Sequence, residues 1–146
     1  MEVQKDFRDL FELSNVHKVE YLIVGAYALA FHGAPRYTGD IYVKPDSTNA
    51  QRLMAALNDF GFGSAQLSAR DFETENRVVQ LGFPPVRVDL VTSLTGVSWE
   101  EAFVGRIGGK YGDVSVYYIG RQQFISNKRA LGRKKDLADL EALGEE

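Results

Sequence analysis

At 146 residues, 45% hydrophobic and 25% charged, the chain has the size and composition of one globular domain spanning 1–146, with room for one core. Its 17 Lys and Arg against 20 Asp and Glu leave a net charge of −3, which excludes the overall basic field of a dedicated nucleic-acid binder. The absence of cysteine excludes disulfides, zinc-thiolate centres and thiol catalysis, and MEVQKDFRDL reads as neither a signal peptide nor a membrane span, so the expected compartment is the cytoplasm.

Residues 2–15 set Val3, Phe7, Leu10, Phe11 and Ser14 at helical spacing with charges between them, which predicts an amphipathic helix covering one face of a sheet. Tyr21–Val24 is a short aromatic and branched run, a buried strand that ends at Gly25. Gly25 and Ala26 then open a helix, and small residues there let phosphate approach backbone N–H groups. His32 is expected to bond the last carbonyls of that helix. In the next strand, Asp40-Ile41-Tyr42-Val43, alternation puts Asp40 and Tyr42 on one face and Ile41 and Val43 on the other.

Pro45-Asp46-Ser47 breaks that strand, and Thr48-x-x-Gln51 offers a capping box to a helix carrying Leu53, Met54, Leu57 and Phe60, ended by Gly61 and Gly63. Residues 64–76 read as a loop with one helical turn at Ala69–Thr74. Arg77–Leu81 and Val86–Val91 form two adjacent strands joined through Gly82-Phe83-Pro84-Pro85, with Arg87, Asp89 and Val91 on one face of the second. Ser98 and Glu101 form a capping box for a helix reaching Val104. Arg106–Tyr111 and Val114–Ile119 make a hairpin through Gly112-Asp113, a type II′ turn. Residues 121–131 place Phe124, Ile125, Lys128 and Leu131 at helical spacing; Gly132 interrupts, and Lys134–Leu143 restarts with Leu137, Leu140 and Leu143. Strands alternating with helices favour an α/β or α+β layer.

Three segments carry a likeness to a known family. Val24-Gly25-Ala26-Tyr27-Ala28, His32-Gly33-Ala34-Pro35-Arg36-Tyr37-Thr38 and Asp40-Ile41-Tyr42 resemble the V-G-G-x-A, H-G-x-P-R-x-T and D-I-D of small bacterial nucleotidyltransferases akin to AbiEii-type and MNT-type proteins, which are associated with toxin–antitoxin systems. Lys128, Arg133, Lys135 and Asp136 fit the family's later Lys and R-x-K-D-x-x-D-L segment. The resemblance implies a mixed sheet flanked by helices, Mg²⁺ on Asp40 and Asp89, and a catalytic set of Asp40, Asp89 and Lys128. It further implies nucleotide contacts from Gly25, Ala26, Arg36, Thr38, Arg133 and Asp136, a nucleoside triphosphate as donor, a protein or RNA acceptor, and a cognate toxin or antitoxin as partner. Ala26 departs from the pattern mildly. Tyr42 departs more seriously, because a phenol supplies no anionic oxygen at neutral pH where the family has its second carboxylate.

Plainer readings stand beside these. Asp40 also suits a strand-start turn, the 127–140 cluster suits a solvated basic turn, and Asp136 suits the orientation of Lys128 by a charge-assisted hydrogen bond. Trp99, Tyr117 and Tyr118 suit base stacking less well than core packing. Three functions therefore compete: a Mg²⁺-dependent transferase, a catalytically inactive relative that binds a nucleotide or a protein in the same cleft, and an interaction module using the C-terminal helices.

Overall fold

The structure is a computed structural model that describes residues 4–24, 39–62, 67–83 and 86–144. The expected phosphate turn at Gly25 and Ala26, together with His32, Arg36 and Thr38, lies outside those residues, as do Val3, Gly63, Pro84 and Pro85. Among the described residues the elements run α1 (Lys5–Val16), β1 (Tyr21–Val24), β2 (Gly39–Val43), α2 (Ser47–Leu57), β3 (Val78–Phe83), β4 (Val86–Val91), α3 (Trp99–Val104), β5 (Ile107–Tyr111), β6 (Val114–Tyr118), α4 (Arg121–Leu131) and α5 (Lys134–Ala142). A π-type turn at Asn58–Phe62 follows α2, and a 3₁₀ turn occupies Ala69–Phe72, inside the stretch expected to hold one helical turn.

The strands form one mixed sheet in the order β3-β4-β2-β1-β6-β5. β1 pairs antiparallel with β2 and parallel with β6, β2 runs parallel to β4, and two antiparallel pairs, β3–β4 and β5–β6, close the sides. All four residues of the central β1 are buried, as expected of a strand covered on both faces. On one face Ile23, Ile41, Val43, Val88, Leu90, Val116 and Tyr118 meet Phe7, Leu10 and Phe11 of α1 and Leu53, Ala56 and Leu57 of α2. On the other, Leu22, Val24 and Tyr42 meet Val97, Trp99, Ala102, Ile119 and Phe124. The period-2 alternation read from the sequence is what divides the strand residues between these two cores.

Local chemistry fixes the ends of the elements. Ser98 and Glu101 exchange the bonds of the expected capping box at 3.1 Å each. Gly112 has φ of 63° and Asp113 is not among the positive-φ residues, the pattern a type II′ turn requires. Gly132 ends α4 in the left-handed region at φ 64°.

Three expectations are corrected. The cap of α2 is Asp46, which accepts from the Asn49 amide at 2.6 Å, so the helix starts at Ser47 and leaves Thr48 inside it. Asn49 favours that start: buried, it accepts from the Glu20 amide and donates to the carbonyls of Glu20 and Lys44, tying α2 to the ends of β1 and β2. Gly82 and Phe83 belong to β3, paired with Arg87 and Val86, because no proline blocks the ladder until position 84. In α5, Leu137 is exposed while Asp136 is fully buried, the reverse of a simple apolar spacing. Among the described residues, no helix is long and apolar enough to cross a membrane.

Candidate active site

Asp40 and Asp89 are register partners on the adjacent parallel strands β2 and β4, so their α-carbons stand about one strand spacing, ~4.8 Å, apart. Alternation sends both side chains to the same face, the one that also carries Tyr42 and Val91. Burial pushes the Asp40 carboxyl up from 3.8 to about 6, and the charge of Asp89 pushes the same way; Lys128, Lys135 and Arg87 offset part of the rise. Asp89 has one oxygen, Oδ1, that is buried without a hydrogen-bond partner. Arg87 runs alongside as an ion-pair partner, with Nε 3.4 Å from that oxygen and Nη2 3.5 Å from Oδ2. The charge of Arg87 offsets part of the cost of burying that oxygen without a hydrogen bond, while two carboxylates in register repel each other.

Lys128 sits on this face: its ammonium lies 5.4 Å above the ring of Phe124, a member of the core that contains Tyr42. Its direct partners are Asp136 Oδ1 at 3.4 Å and Asp139 Oδ2 at 3.3 Å. Asp136 also accepts from Arg133, at 2.7 Å from Nε, 3.2 Å from Nη2 and 3.2 Å from the backbone amide. Burial alone would raise the Asp136 carboxyl, but the bonds from Arg133 and the charge of Lys128 outweigh it and hold the group below the ordinary carboxylate value. Both Asp136 oxygens are thus occupied, by Arg133 and Lys128. Arg133 keeps about half its side chain in solvent.

Tyr42 fills the second position of Asp-x-Asp. It is 3% exposed and packs edge-on against Trp99, with ring centroids 5.0 Å apart. Trp99 and Tyr118 are core residues, whereas Tyr117 is half exposed and stacks under the guanidinium of Arg106 at 4.7 Å. The sequence reading assigns no site role to Asp139, the last Asp of the R-x-K-D-x-x-D-L segment, or to Arg87, on the strand face of Asp89; α5 sets the first against Lys128, and the second pairs with Asp89 two residues along β4. Among the described residues, no group of three or more His, Cys, Asp or Glu is gathered as metal ligands. The pair Asp40 and Asp89, with one buried oxygen that accepts no hydrogen bond, suits a hard cation such as Mg²⁺, which takes one or two protein carboxylates and completes its octahedron with phosphate oxygens and water.

The mixed six-stranded sheet with its flanking helices matches the fold of a solved structure of nucleotidyltransferase type. A crystal structure from Thermotoga maritima, described as a "putative nucleotidyltransferase", superposes with a TM-score of 0.62 over 92% of this chain and 88% of that one, at 14% sequence identity. At that identity the likeness is one of fold. No protein-family profile and no curated protein matches the sequence.

Proposed function

We propose that the protein binds a nucleoside triphosphate with Mg²⁺ between Asp40, Asp89 and Lys128, and that Tyr42 leaves it a poor nucleotidyltransferase. The observation that carries this reading is the register pairing of Asp40 with Asp89, whose buried Oδ1 has an ion-pair contact with Arg87 and no hydrogen bond. Asp40 and Asp89 would hold the ion, and Lys128 and the exposed part of Arg133 would meet phosphate oxygens. When bound, the ion neutralises charge on the phosphates and on the leaving pyrophosphate. The finer reading, by resemblance, is transfer to a protein or RNA hydroxyl as one member of a toxin–antitoxin pair. The burial of Tyr42 against Trp99 favours the binding role over the catalytic one, because position 42 contributes packing where the family has a ligand.

The test is thermal unfolding with each nucleoside triphosphate, with and without Mg²⁺. Ligand at a hundred times its Kd stabilises by about 2.7 kcal/mol, a shift that is easily read. A Mg²⁺-dependent shift that disappears in both Asp40→Asn and Asp89→Asn is the expected result. A shift that survives both substitutions would place the nucleotide elsewhere and overturn the reading.

A further inference from the structure

Lys128 lies over Phe124 in the core on the sheet face of Asp40 and Asp89, yet its direct ionic contacts are with Asp136 and Asp139 on α5. An ammonium on a flexible four-carbon stem is free to turn toward two mutually repelling carboxylates on the same face unless something holds it. Asp136 can do so because it has no solvent exposure and is itself fixed by three bonds from Arg133. Asp139 takes another side of the same ammonium, and only 12% of the Lys128 side chain is exposed. Meanwhile Asp89 Oδ1 stays buried without a hydrogen bond, with the cation of Arg87 standing 3.4 Å away on its own strand.

We propose that Asp136 and Asp139 act as a clamp that holds the Lys128 ammonium back from Asp40 and Asp89, keeping the acidic pair open to a divalent cation while the lysine waits for the phosphates that arrive with it. The proposal rests on the nucleotide reading given above and assigns Asp136 and Asp139 as positioning residues, acting through Lys128. Without the clamp, Lys128 would become the counterion of the pair and compete with the metal. The competition makes a distinctive prediction, because deleting the lysine should then rescue what deleting the clamp has damaged.

The experiment measures Mg²⁺ and Mn²⁺ binding by calorimetry, without nucleotide, in the full chain, in Asp136→Asn and Asp139→Asn, and in each of these combined with Lys128→Met. Residues that support a metal site from outside typically change affinity by ~10–100-fold, so Asp136→Asn should bind on the order of tenfold more weakly. Addition of Lys128→Met should return most of that affinity. A loss that persists in the Lys128→Met background means Asp136 matters only for folding and overturns the clamp, as does the absence of any loss. Should Asp136→Asn not fold, Asp139→Asn combined with and without Lys128→Met makes the same comparison at a more exposed carboxylate. A crystal structure of the Asn variant supplies a readout that needs no metal: Lys128 Nζ should move within hydrogen-bond reach, ~3 Å, of Asp40 or Asp89. An ammonium that stays between positions 136 and 139 overturns the clamp. If the unmodified chain binds neither ion, the nucleotide reading fails, and the Nζ position alone then decides whether the clamp exists.

Discussion

Tyr42 meets Trp99 edge to face, with ring centroids 5.0 Å apart and planes at 82°, on the strand face it shares with Asp40. Burial, with the nearby charges of Glu75 and Glu100, pushes its hydroxyl up to about 12, so the phenol stays neutral across the physiological range. Position 42 is therefore a structural member of the second core and offers no anion to a metal. The same alternation that aims Asp40 at the proposed site aims this ring into the packing beneath α3.

Replacing that ring with a carboxylate, Tyr42→Asp, should cost stability and raise metal dependence together. Truncating a large buried aromatic costs about 3–5 kcal/mol, and here the new charge also faces Asp40 and Asp89. Mg²⁺ should recover part of the loss, because three carboxylates bind it better than two. The measurements are thermal unfolding with and without Mg²⁺ and Mg²⁺-dependent labelling of protein or RNA with each triphosphate. Strong, equal labelling by both chains would show the second carboxylate to be dispensable.

Lys128→Met keeps the stem over Phe124 and removes the charge. A hydrogen bond to a charged group is worth about 1.5–3 kcal/mol, so triphosphate affinity should fall by roughly 10–100-fold, with a smaller change for the monophosphate. Calorimetry with the tri-, di- and monophosphate reads the difference. A uniform loss across all three would mean that Lys128 meets the nucleoside or only supports the fold.

Much of the scaffold was legible because it depends on local chemistry. The Ser98 and Glu101 box, the Gly112-Asp113 turn and the facing of Asp40 and Asp89 each follow from spacing and alternation. What was not legible depends on tertiary company. Asp46 and Thr48 are both competent caps, and the buried Asn49, bonded to the ends of two strands, goes with the earlier one. Counting apolar residues along α5 favours Leu137 as core, but Asp136 takes the buried position because Arg133 and Lys128 neutralise and bond it there. Within 127–140 the pairing of Asp136 with Lys128 is one of the sequence's readings, whereas the contact of Lys128 with Asp139 is not. Gly25, Ala26, Arg36 and Thr38 lie outside the described residues, so the phosphate-turn half of the site stands on the sequence argument.

Two glycines beside α4 should respond differently to alanine. Gly132 and Gly96 both have positive φ, at 64° and 80°. At Gly132 an added Cβ meets the Arg129 carbonyl at an ordinary 3.6 Å, so Gly132→Ala should cost only the backbone strain, about 1–2 kcal/mol. At Gly96 the Cβ falls 2.5 Å from Ala130 Cβ, which cannot yield without moving α4, the helix that carries Lys128. Gly96→Ala should therefore cost more in urea unfolding and also weaken triphosphate binding. Equal unfolding costs for the two variants would contradict the packing described at Gly96.

Asp40→Asn should stabilise the chain at neutral pH while abolishing Mg²⁺-dependent nucleotide binding. Burial and the charge of Asp89 raise the folded-state carboxyl of Asp40 from 3.8 to about 6, so the folded chain holds this proton more tightly than the unfolded one. Below the unfolded value both states are protonated and Asp40 carries no penalty. As pH rises from about 4 to about 6 the unfolded state ionises first, and the penalty grows; above about 6 it is complete and constant. A shift of this size corresponds to on the order of 1–3 kcal/mol, and an uncharged isostere avoids it. Urea unfolding at pH 7 should therefore show the variant more stable by about that amount, and unfolding at pH 4 should show the gap closed. Mg²⁺ should narrow the gap at pH 7 by stabilising only the chain that keeps Asp40. A variant that is less stable at both pH values would mean that Asp40 is satisfied within the fold, with no deficit for a cation to fill.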